Sequence, residues 1–94
     1  MAEGFLFGIM VVMEQKIAQI CGLVNALLGE KVNVYYNRKV DPNYPDIYVV
    51  MVKFLRSPER QPDILAVGEG EEIYEKLRVV AFSISYKIKV DNAE

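Results

Sequence analysis

The sequence predicts an α+β fold: one major N-terminal helix, about residues 10–28, packed on a mostly antiparallel sheet of about four strands that ends in a long C-terminal strand. Three observations carry this reading. Apolar residues recur at a helical period from Met10 to Leu27, the period falls to two from Lys31 onward, and the run from Ile73 to Val90 reads as one overlong strand. The chain has 94 residues, enough for one domain with a modest core, so a partner subunit would add stability.

The helix comes first. Met10, Met13, Ile17, Ile20, Val24 and Leu27 are spaced alternately three and four apart, and Cys21 and Leu28 widen the stripe, while Gln15, Lys16, Gln19 and Asn25 occupy much of the other side. Gly22 costs about 1 kcal/mol relative to Ala in a helix interior, which suggests a close approach by another element there. Gly29 is a natural C-terminal cap. Residues 5–12 fit either the first turns of this helix or a short buried strand.

Beyond Lys31, Val32, Val34 and Tyr36 alternate with Asn33, Tyr35 and Asn37, as in a strand with one apolar face. Asp41, Pro42, Asn43, Tyr44 and Pro45 make a turn. The next strand, Ile47 to Leu55, is apolar on both faces apart from Lys53, and such a strand wants cover on both sides. One helix covers only one face of a small sheet, so the second face needs the N-terminal segment or another chain. A polar loop from Arg56 to Pro62 leads to a short strand, Ile64 to Val67, and an acidic turn from Gly68 to Glu72.

The run from Ile73 to Val90 would span roughly 60 Å as a straight strand, about twice the diameter expected of a globule this size. Its parity also reverses. Ile73, Leu77, Val79 and Ala81 are odd, whereas Phe82, Ile84, Tyr86, Ile88 and Val90 are even, with Ser83, Ser85, Lys87 and Lys89 opposite. A β-bulge within a monomer accounts for the switch, and so does a strand shared between its own domain and a neighbour.

Composition narrows the functional classes. The chain is 52% hydrophobic and 26% charged with a net charge of −2, so neither a nucleic acid nor an anionic membrane is an obvious electrostatic partner. Cys21 is the only cysteine, which rules out an internal disulfide, and no Asn-x-Ser/Thr acceptor occurs. The apolar stretch Phe5 to Met13 is too short for a membrane span and lacks the basic leader of a signal peptide. An intracellular or virion setting is therefore expected, and secretion is not.

No catalytic, cofactor or metal site is expected. Cys21 lies beside the apolar stripe in a chain without histidine, so it reads as a core residue and not as a nucleophile. Asp41, Asp46, Asp63, Glu69, Glu71 and Glu72 do not have the spacing of a calcium loop, and Gly68-x-Gly70 is followed by glutamates that would repel a phosphate. Tyr35, Tyr36, Arg38, Lys39 and Tyr44 gather aromatic and basic groups near the first hairpin, where they fit a subunit contact at least as well as a base-stacking surface. The interface candidates are Tyr35, Tyr36, Arg38 and Tyr44, together with Phe82, Ile84, Tyr86 and Ile88 on the even face of the long run. The expected partners are copies of the chain itself. A small ligand-binding or regulatory module with a site between subunits is the alternative.

The order of elements also carries a resemblance. A helix, then Val32 to Tyr36, then a proline-bounded turn into Tyr48-Val49-Val50, then a final long strand around Ala81-Phe82-Ser83-Ile84-Ser85 resembles small phage tail-terminator or head-tail joining proteins. The resemblance implies a ring at the end of a tail tube, other virion or assembly proteins as partners, no cofactor and no catalysis.

Overall fold

A computed structural model describes the backbone of residues 2–81 and 83–93 and the side chains of 13–81, 83 and 85–93. The element order is α1 (Ala2–Leu28), β1 (Val32–Asp41), β2 (Tyr44–Phe54), β3 (Asp63–Gly68), α2 (Gly70–Ala81) and α3 (Ile84–Asn92). The fold is α+β, as the pattern predicts.

Helix α1 includes residues 5–12, so that stretch is helix and not strand. Its buried side chains are Ile17, Ile20, Cys21, Val24 and Leu28, whereas Leu27 is 45% exposed. The stripe is thus turned slightly from the predicted one, toward Cys21 and Leu28. The helix stops at Gly29, which takes φ +93° and donates its N–H to the Asn25 carbonyl at 2.9 Å. That is the left-handed cap for which glycine is suited, lacking a Cβ.

The three strands form an antiparallel sheet in the order β1-β2-β3. Pro42 and Asn43 turn the chain between β1 and β2, and the Asn43 N–H bonds the Asp41 carboxylate at 2.8 Å, fixing the turn through a side chain. Register places Val32, Val34 and Tyr36 opposite Phe54, Val52 and Val50. These residues, with Tyr48 and Ala66, turn toward the helices and join Ile17, Val24, Ile73, Leu77 and Val90 in one core cluster, Tyr36 at its rim.

The C-terminal half corrects the sequence reading. There is no long C-terminal strand and, among the described residues, no fourth strand. The described residues of the run from Ile73 to Val90 lie in α2 and α3, apart from Ser83 between them. Helix α2 buries Ile73 and Leu77, with Val80 and Ala81 packed against the same core, a spacing of four, three and one. Glu71 and Glu72 in its first turn and Arg78 in its last oppose the helix dipole. Pairs Glu72–Lys76 at 2.9 Å and Glu75–Arg78 at 3.4 Å lie one turn apart. The parity switch is the break between helices, where Ser83 is extended at φ −89°, ψ 111°. Two helices of this length span about 30 Å end to end, which removes the size conflict of a 60 Å strand.

Candidate functional site

Strand β2 has two apolar faces and they meet different fates. Tyr48, Val50, Val52 and Phe54 are buried under the helices. Ile47, Val49 and Met51 point the other way and are half-buried by their neighbours in the sheet. Cross-strand rows on that outer face run Tyr35–Met51–Ile64 and Asn37–Val49–Val67. Ile64 is 63% and Val67 43% exposed. Among the described residues no helix covers this face, which is an apolar centre flanked by the exposed Lys39 and Lys53.

The sheet's edges are treated differently from its face. On the β1 side, the Asn25 side chain reaches from α1 to accept the Val34 N–H at 2.8 Å and donate to the Val32 carbonyl at 3.1 Å. An amide so placed imitates a strand partner over that stretch of edge. On the β3 side, the strand is short and bulged at Leu65, and Lys76 donates to the Val67 carbonyl at 2.8 Å.

The predicted interface residues do not form one patch. Tyr35 lies on the outer face, where its hydroxyl approaches the Met51 sulfur at 3.7 Å. Tyr44, 70% exposed, stands at the start of β2 beside the turn. Tyr36 and Arg38 face the helix side instead. The Tyr36 hydroxyl donates to Glu14 at 3.2 Å, and Arg38 bonds Asp46 at 2.8 Å and Glu14 at 3.4 Å, so both tie β1 to α1 and β2. Burial, then the Glu14 charge, raises the Tyr36 phenol above its ordinary range.

In α3, Tyr86 and Ile88 part company because a helix separates side chains two apart. Ile88 is 52% exposed, while Tyr86 is half-buried and donates to Asp63 at 3.2 Å. Phe82 and the side chain of Ile84 lie outside the described residues. Burial, then the adjacent Asp63 charge, pushes the Tyr86 phenol up to about 12. Asp63 also receives Lys89 at 3.0 Å and faces Arg60 at 3.6 Å. Burial alone would raise the Asp63 carboxyl, but the Lys89, Tyr86 and Arg60 contacts together hold it below the ordinary carboxylate range.

Cys21 is 3% exposed and burial pushes its thiol up to about 11, which leaves it protonated at neutral pH and a weak nucleophile. A cleft lined by Met13, Tyr44, Pro45, Asp46, Tyr48 and Glu69 to Glu72 lies between the hairpin and the start of α2. Among the described residues no group of three or more His, Cys, Asp or Glu is placed to hold a metal ion, and no helix is long and apolar enough to cross a membrane. Sequence reasoning missed Asn25, placing it only on the polar side of α1. Nothing local distinguishes an amide that reaches a strand edge from one in water.

No protein-family model, curated protein or solved structure matches this chain.

Proposed function

We propose that the chain is a non-enzymatic assembly subunit that associates with copies of itself. One observation carries this reading: the outer sheet face presents Tyr35, Ile47, Val49, Met51, Ile64 and Val67 in contiguous rows with no helix over them among the described residues. A contiguous apolar face rimmed by polar groups is the usual mark of a contact surface. The argument from an overlong protruding strand falls away with that strand, and the open face takes its place. A ring or tube, of the kind the resemblance to tail-terminator and joining proteins implies, follows if this face meets a different surface of the next copy, although the final strand that helped carry that resemblance is replaced by α2 and α3.

Light scattering on the wild type and on Met51→Glu tests the reading. The wild type is expected above the 10.7 kDa monomer mass, with Met51→Glu shifted to lower mass and unchanged helix content. A wild type that stays at monomer mass at every concentration would overturn it. A ligand-binding module is favoured by the cleft beside Tyr44 and Tyr48, and resonance shifts confined to those tyrosines on adding a small cationic aromatic compound would support it.

A further inference from the structure

We propose that the open part of the β1 edge pairs antiparallel with the same strand of a second copy, across a two-fold axis through Asn37, joining two sheets into one of six strands. The proposal rests on the self-association reading and adds a contact along the sheet edge, distinct from the one across the outer face.

The free hydrogen-bonding groups set the register. Leu55 donates to the Lys31 carbonyl, so in the antiparallel alternation the odd residues of β1 bond to β2. The even residues direct their N–H and C=O groups to the open side. Asn25 occupies this edge at Val32 and Val34, and at the other end Pro42 in the turn has no N–H to offer. Asn25 leaves the Val34 carbonyl open, and the stretch from there to Val40 is centred on Asn37. Pairing there sets Tyr36 opposite the partner's Arg38 and Val34 opposite the partner's Val40. It forms about six main-chain hydrogen bonds beyond the Val34 N–H that Asn25 already holds.

Side-chain chemistry agrees with the same register. Tyr36 meets Arg38 on the helix side and Tyr35 meets Lys39 on the outer side, two aromatic-to-cation pairs, each made twice by the symmetry. Asn37 meets Asn37 at the axis, where two amides can bond each other. Val40, 67% exposed in the single chain, gains an apolar partner in Val34. No like charges stand directly opposite, and Arg38 is already neutralised by Asp46 and Glu14. Above the edge, Ala18 and Gly22 are the exposed residues of α1 that continue the flank marked by Glu14 and Asn25. A methyl group at Gly22 would meet no atom within 4 Å, so this flank of α1 is open.

The register makes the test specific. Asn37 and its mate form a non-hydrogen-bonded pair with Cα atoms about 4.5 Å apart, within disulfide reach, and the native Cys21 is buried. Asn37→Cys should therefore become a covalent dimer on mild oxidation, while Asn33→Cys and Lys53→Cys, exposed on the same face but far from the axis, stay single chains. Val40→Pro removes an outward N–H without touching the β1–β2 ladder and should weaken the dimer about tenfold. If the wild type self-associates but Asn37→Cys does not cross-link and Val40→Pro has no effect, the contact lies elsewhere and only this proposal fails. If the wild type never exceeds monomer mass and Asn37→Cys does not cross-link, both readings fail.

Discussion

The two faces of β2 carry nearly the same chemistry and have opposite surroundings. Tyr48, Val50, Val52 and Phe54 are buried on the helix side, while Ile47, Val49 and Met51, on the same strand, look out over a surface that no described helix reaches. Burial of the first set drives folding, because each large apolar side chain removed from water contributes about 1.5–3 kcal/mol. The second set gains little of that in a single chain. The difference teaches that apolar residues on the outer face are not needed to close the core.

Substitutions should separate the two faces cleanly. The largest effect is expected at Val50, fully buried at the sheet's centre. Val50→Asp leaves an unpaired charge in the core at a cost of several kcal/mol, and circular dichroism should show an unfolded chain at 25 °C. Next comes the edge plug. Asn25→Leu strips partners from the Val34 N–H and the Val32 carbonyl, and a loss of about 1–3 kcal/mol is expected in urea unfolding. On the outer face, Val49→Lys should leave stability within about 0.5 kcal/mol and reduce only association, read as a fall in mass by light scattering. Equal damage from Val49→Lys and Val50→Asp would erase the distinction between the faces.

The smallest effect concerns pH. The Asp63 carboxyl titrates below its unfolded value of about 3.9, so its contacts with Lys89, Tyr86 and Arg60 contribute stability above that pH and lose it as pH falls through the lower folded value. Glu72, held down mainly by its bond to Lys76, acts in the same direction. Wild-type urea midpoints should therefore drop below about pH 4, and Asp63→Asn should show a shallower drop from a slightly lower starting value.

Much of the fold was legible in residue spacing, and the failure has a definite cause. The period-3.6 stripe to Leu28 and the alternation after Lys31 each report which side of an element meets the core. From Ile73 onward parity misled, because a helical step of four is also two strand repeats, so Ile73, Leu77 and Ala81 share a parity in either structure. The deciding residue was Glu75. In a strand it would share the face of Ile73 and Leu77, whereas in α2 it is exposed and pairs with Arg78. Glu71 and Glu72 followed by Lys76 and Arg78 were helix signals in plain view. The two-sided apolar character of β2 was legible. The edge contacts of Asn25 and Lys76 were not, since they join residues that only the folded chain brings together.

The central claim is that the outer face of β2 is covered when the protein is concentrated. Methionine oxidation by dilute peroxide measures this directly, because Met51 sits on that face and Met13 lies on the helix side as an internal reference. Oxidation of Met51 is expected to slow severalfold as protein concentration rises from the nanomolar range to high micromolar, with Met13 unchanged relative to it. A Met51 rate that stays constant across that range would contradict the account.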